Sequence, residues 1–224
     1  MTAELNDLTI RAARHAALAD PQRLRIGDLL TLGDLSPTEL SARLGGIPSN
    51  LLAHHLNVLE HAGLVTRSRS EADRRRSYVR LVPGALDARV TAPALSAHRV
   101  VFVCRANSAR SQLAAALWSL RSAVPVASAG TKPAEGVAPG AVAAAERHGL
   151  VLRSQKSRAL ADVLEAGDWV VAVCDNAYEE LGATSALHWS VPDPVPAGTD
   201  QAFDAALEDL AQRVEELAPR LLAA

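Results

Sequence analysis

The apolar residues of this 224-residue chain repeat in two different ways, and one layer of packing does not suit both. From Leu8 to about Ala62 they recur at intervals of three and four. Breaks fall at Asp20-Pro21, Gly33, Ser36-Pro37 and Gly45-Gly46, which predicts four short helices. Ser36 is a good N-cap, with Pro37 at the first helical position and Glu39 at the third, a capping box. After Gly63, the segments LVTRSR and SYVRLV flank a polar stretch and predict a two-stranded hairpin. Past residue 99 the pattern becomes short unbroken apolar runs: VVFV (100–103), VPVAS (124–128), DWVVAVC (168–174) and HWSV (188–191). Such runs suit strands buried on both faces. Helices are expected between and after them at Ser111–Arg121, Pro139–His148, Ala159–Glu165 and Gln201–Leu221. Strands alternating with helices predict an α/β parallel sheet covered on both sides. Two domains follow, residues 1–82 and 99–224. Residues 83–98, PGALDARVTAPALSAH, have two prolines and no sustained period, and are expected to link them.

About half of the residues are apolar, enough for proper cores without staples. No apolar stretch approaches the ~20 residues needed to span a bilayer. The N-terminal MTAELNDLTIRAARH lacks the apolar block and cleavage site of a signal peptide. A cytoplasmic chain with no membrane partner is therefore expected. The two cysteines, Cys104 and Cys174, lie in no CxxC or Cys/His cluster, which favours free thiols over a structural bridge and predicts no metal site and no bound cofactor. Net charge is close to zero, yet Arg67, Arg69, Arg74, Arg75, Arg76 and Arg80 between Leu64 and Val82 face only Glu71 and Asp73. That local excess suits a polyanionic partner.

A helix at 37–44, a turn at Gly45-Gly46-Ile47 and a helix at 48–62 form a helix-turn-helix, with the hairpin where a wing would lie. Leu52, Leu56 and Leu59 share an inward face. Ser49, Asn50, His54 and His55 fall mostly elsewhere, near the end of the helix that would enter a major groove. Arg67, Arg69, Arg74, Arg75 and Arg76 on the hairpin are placed to straddle a phosphate backbone. The segments LADPQRLRIGDLL, SPTELSARLGG, LLAHHLNVLEHAGLV and RRRSYVRL together resemble the winged helix-turn-helix domain of ArsR-type bacterial repressors, over about residues 8–82. The resemblance implies a homodimer on a palindromic double-stranded operator, paired through terminal helices. Members that sense soft metals carry cysteines in or near the helix occupied here by SPTELSARL. This half has none, which excludes soft-metal sensing through that site.

In the second half, VVFV runs directly into Cys104-Arg105-Ala106-Asn107-Ser108-Ala109-Arg110-Ser111, followed by a helix. A loop from a buried strand to a helix N-terminus directs its backbone N–H groups into one concavity, where the helix dipole favours negative charge. Residues 105–110 are therefore expected to cradle a tetrahedral oxyanion and to favour the thiolate at Cys104, the nucleophile. Arg110 binds two oxyanion oxygens, Ser111 hydrogen-bonds the thiolate, and Asn107 tolerates a left-handed turn. Asp193 in VPDPVPAG follows the last strand, at the same edge of the sheet, as candidate general acid.

VVFVCRANSARSQLAAALW, VASAGT and the Asp-Pro at 193 resemble the low-molecular-weight tyrosine phosphatases and the thiol-dependent arsenate reductases built on the same fold, over roughly residues 99–221. The resemblance implies Cys104 as nucleophile, Arg110 as oxyanion ligand, Ser111 as thiolate support and Asp193 as acid. Ala106 replaces a usual glycine, and Ala109 a cysteine that many members have. Cys174 matches the place of a resolving cysteine in the reductases, against the alternative of a buried strand residue. The further cysteine of thioredoxin-coupled members is missing from DNAYEELGA. The expected activity is an arsenic-responsive repressor fused to an arsenate reductase that uses an external thiol reductant, mycothiol, glutathione or the thioredoxin system. A phosphatase acting on phosphate esters, or a sensor of arsenate or phosphate without turnover, are the alternatives.

Overall fold

A computed structural model describes residues 2–86, 95–152, 154 and 156–224. The chain divides into two compact units, Met1–Thr91 and Ala92–Ala224. In the first, helices α1 (Thr2–Leu18), α2 (Pro21–Leu30), α3 (Pro37–Arg43) and α4 (Ser49–His61) precede a hairpin of β1 (Val65–Arg69) and β2 (Ser77–Leu81). Asp20 caps α2 by accepting from the amides of Gln22 and Arg23, and Ser36 with Glu39 closes the capping box on α3. Gly45 and Gly46, at φ +81° and +78°, make the turn into α4 in a conformation that L side chains avoid. Leu52, Leu56 and Leu59 point inward onto Ile26, Leu40, Leu64 and Val79, all buried. Leu35 bridges antiparallel to Val79 and extends the hairpin by one short segment.

The second unit is built on four parallel strands in the order β5-β4-β6-β7: β4 (Val100–Cys104), β5 (Val126–Gly130), β6 (Trp169–Ala172) and β7 (Leu187–His188). All five residues of β4 are buried, so both faces of this central strand are covered. Phe102 lies against Trp118 and Trp189, with ring centroids 5.8 and 5.6 Å apart, and the Trp118 indole N–H donates to the Val124 carbonyl at 2.9 Å. Helices α5 (Arg110–Arg121), α6 (Pro139–Arg147) and α9 (Asp200–Leu217) pack together, while α8 (Asp175–Leu181) packs on β4 and β6. Arg99 fixes the start of β4 by pairing with Asp168 at 2.6 Å and Glu165 at 3.0 Å.

Three expectations are corrected, and of the expected linker at 83–98 residues 87–94 lie outside the described residues. Ala85 and Leu86 join the first core, and β3 (Leu95–Ala97) pairs in parallel with β8 (Leu221–Ala223). The helix at 159–165 is a single turn, α7 (Leu160–Val163). The strand at 188–191 is the two-residue β7, and the last helix ends at Leu217, followed by a 3₁₀ turn and β8. Helix α8 was not foreseen. Its N-cap is Cys174, whose sulfur accepts the Ala177 N–H at 3.4 Å, and cysteine is not read as a start signal.

Candidate functional site

The loop from Cys104 to Ser111 turns tightly because Asn107 takes φ +51°, the only non-glycine residue with positive φ among those described. Its amide then donates to Cys104 Sγ at 3.2 Å, and the Ser111 hydroxyl lies 3.1 Å from the same sulfur. The Asn107 side chain donates from Nδ2 to Ser111 Oγ at 2.8 Å, so the hydroxyl hydrogen of Ser111 is left to point at sulfur. Asn107 Oδ1 accepts from the Arg158 amide at 2.9 Å and from Gln112 Nε2 at 3.2 Å. These partners were invisible in sequence, because Arg158 comes from a segment far along the chain.

The loop's carbonyls are engaged on its outer side. Cys104, Arg105, Ala106 and Ser108 accept the amides of Thr131, Lys132, Ala134 and Ala138 at 3.1, 2.8, 2.9 and 2.8 Å. With these carbonyls tied to residues 131–138, the Asn107 N–H faces the Cys104 sulfur, while the Arg105 amide is turned to Cys174. Ala106 lacks positive φ, so nothing in this backbone requires the glycine expected there. Gly130, by contrast, is required by space. A Cβ on it would stand 2.8 Å from the Arg105 carbonyl oxygen and 3.0 Å from Ala106 C and Asn107 N.

Arg110, at the first turn of α5, is 3% exposed. It donates from Nη1 to the Val191 carbonyl at 2.9 Å and pairs through Nη2 with Asp193 at 2.8 Å. The loop after β7 thus brings Asp193 onto the arginine, joining two residues that are 83 apart in sequence. Cys174 stands one residue beyond the Val173 amide that bonds Val103, beside the start of the loop. It is fully buried, and burial pushes its thiol up to about 12, against the pull of the Arg110 charge and of the Ala177 and Arg105 amides. The nearby Cys104 adds to the rise. Both cysteines are free thiols.

On the first unit, Ser49, Asn50 and His54 are exposed along α4. His55 is not on that face. It is 6% exposed and turned toward the α2 cap, its Nδ1 3.8 Å from Asp20 Oδ1, because its position follows the inward Leu52 and adjoins Leu56. Arg67 is tied back to α4, pairing with Glu60 at 3.1 Å and donating to Asn57 Oδ1. Arg75 is held on Asp73 by two hydrogen bonds of 3.0 Å, and Arg76 is 3.9 Å from the same carboxylate. Arg69 and Arg74 are exposed. A cavity of about 530 Å³ lies between α3 and α4, lined by Thr38, Ser41, Ser49 and Arg67 among others. Thr38 and Ser41 were not singled out in sequence, since hydroxyls in a capped helix carry no distinguishing pattern.

The fold and the loop define a class of domain that places a buried cysteine, backed by an amide and a hydroxyl, at the carboxyl edge of a parallel sheet. The chain belongs to the low molecular weight phosphotyrosine protein phosphatase family, whose pattern matches residues 99–224. A helix-turn-helix domain is matched at residues 18–68. No curated protein matches the chain. Among solved structures, an arsenate reductase from Archaeoglobus fulgidus is 27% identical, with 54% of this chain and 98% of that one covered and a TM-score of 0.48. An arginine phosphatase from Geobacillus stearothermophilus is 23% identical, covering 55% and 91% at 0.48. A tyrosine phosphatase from Escherichia coli, in complex with sulphate, is 19% identical, covering 55% and 96% at 0.49. The chain therefore combines a helix-turn-helix domain with a low molecular weight phosphotyrosine protein phosphatase domain.

Proposed function

We propose that this chain is an arsenic-responsive, dimeric DNA-binding repressor whose second unit reduces arsenate, with Cys104 as nucleophile and an external thiol as electron donor. The observation that carries the enzymatic half is the setting of Cys104 Sγ: an amide and a hydroxyl at 3.2 and 3.1 Å, in a loop whose far end is the buried Arg110. Arsenate enters by displacing Asp193 from Arg110, and its oxygens take the loop amides and the guanidinium. Cys104 thiolate attacks arsenic, and the departing oxygen takes a proton from Asp193 and leaves as water. A donor thiolate then attacks Cys104 sulfur. The new S–S bond forms as the S–As bond breaks, its electron pair stays on arsenic, and arsenite departs. A second donor thiol frees Cys104 as thiolate and leaves as the donor disulfide, so two thiols supply the two electrons.

One feature favours reduction over ester hydrolysis. The residues flanking Asp193 are Val191, Pro192, Pro194 and Val195, with no aromatic ring to hold a phenyl group. The donor is external because Cys174, buried and pushed up to about 12, is a thiol at neutral pH and a poor attacking group. The first unit contains no cysteine, so arsenic response is assigned to oxyanion occupancy or thiol oxidation in the second. The decisive assay follows arsenate-dependent oxidation of glutathione. It should be abolished by Cys104→Ser and retained by Cys174→Ser. Hydrolysis of p-nitrophenyl phosphate with no arsenate-dependent thiol consumption would instead assign a phosphatase.

A further inference from the structure

The carboxyl edge of the sheet carries a second feature beside the anion loop. Arg105 follows the nucleophile directly, and Lys132 lies two residues past β5, its amide bonded to the Arg105 carbonyl at 2.8 Å. Their side chains converge on one atom of α8. Lys132 Nζ lies 2.9 Å, and Arg105 Nη1 4.0 Å, from Glu180 Oε1, while Arg105 Nη1 donates to Asn176 Oδ1 at 3.3 Å. Glu180 is held below the usual carboxylate range by the neighbouring Thr131 hydroxyl and by Lys132, with Arg105 adding to the effect. Two cations against one carboxylate leave a net charge of +1. Both cations are well exposed, their side chains 49% and 61% accessible. Arg105 and Lys132 thus already bind one carboxylate and retain positive charge after binding it.

From this we propose that Arg105 and Lys132 form a carboxylate subsite for the reducing thiol, so that the electron donor is a small thiol bearing a carboxylate, and Glu180 competes with it. This rests on the reductase reading. Electrons and atoms balance as given above, since the subsite only holds the donor while its sulfur attacks Cys104. A neutral sugar thiol gains nothing from such a rim, whereas a carboxylate gains charge-assisted hydrogen bonds.

The test uses the full chain and S-methylglutathione, whose sulfur cannot react, with its diethyl ester as the probe lacking free carboxylates. Calorimetry should show that the diacid binds more tightly than the diester. Arg105→Gln and Lys132→Gln should each weaken the diacid about fivefold, and Glu180→Gln should strengthen it by a similar factor. The two cation variants guard against a loop disturbed by either change. Equal binding of diacid and diester, no binding of either, or a diacid affinity unmoved by all three substitutions overturns the subsite. Turnover separates the two ideas. Diacid binding as expected without arsenate reduction by any thiol removes the reductase reading and leaves the carboxylate site. Arsenate reduction with an unchanged ratio of KM for glutathione to KM for 2-mercaptoethanol in all three variants removes the subsite and leaves the reductase.

Discussion

Gly130 shows how one missing methyl group sets the geometry of the anion loop. The loop backbone lies where a Cβ would stand, at 2.8 Å from Arg105 O, and backbone cannot yield as a flexible side chain does. Gly130→Ala should cost about 1–3 kcal/mol, measured by urea denaturation, and should slow alkylation of Cys104 by iodoacetamide as the loop shifts. Cys174 makes a different prediction at the same scale. Its thiol is raised by burial from 9.0 to about 12, so the folded state holds this proton more tightly than the unfolded one. The associated stability is complete below pH 9 and is lost as pH rises toward 12. Denaturation midpoints should fall over that window in the wild type and fall less in Cys174→Ala.

The elements divide into those with local signals and those held by distant contacts. Removing Arg74, Arg75 and Arg76 together as alanines should weaken operator binding and flatten its salt dependence, measured by titrating salt in a DNA-binding assay. Arg75 is already paired with Asp73, so Arg74→Ala with Arg76→Ala should reproduce most of the loss. The helices of the first unit were legible because Asp20-Pro21, Ser36-Pro37 and Gly45-Gly46 are local instructions. The buried runs of the sheet were legible for the same reason. The cradle's residues could be named from sequence, but not the clamp around them, since Asn107 is fixed by Arg158 and the loop carbonyls by residues 131–138. His55 is a different case within a helix. Its spacing, three residues after Leu52 and next to Leu56, already places it on the inward face, and the expectation weighed its polarity over that period. Helix α8 and the three-residue strands β3 and β8 escaped because a sulfur cap and a run of three carry no period.

At the scale of the molecule, the proposed function makes oxyanion occupancy of the second unit an input to DNA binding by the first. Operator affinity of the full chain should change on adding arsenate, and Cys104→Ser should keep basal DNA binding while losing any response that requires the covalent step. Unchanged affinity in arsenate, arsenite and oxidant would remove the coupling. Among the described residues no helix is long and apolar enough to cross a membrane. The parallel pairing of Leu95–Ala97 with Leu221–Ala223 has a consequence for synthesis. A ribosome can release the first unit to fold while the second is still being made, but the segment leading into the nucleophile's strand stays unclosed until residues 221–223 emerge. A message truncated before that point leaves the helix-turn-helix unit complete and the second unit without its closing strand.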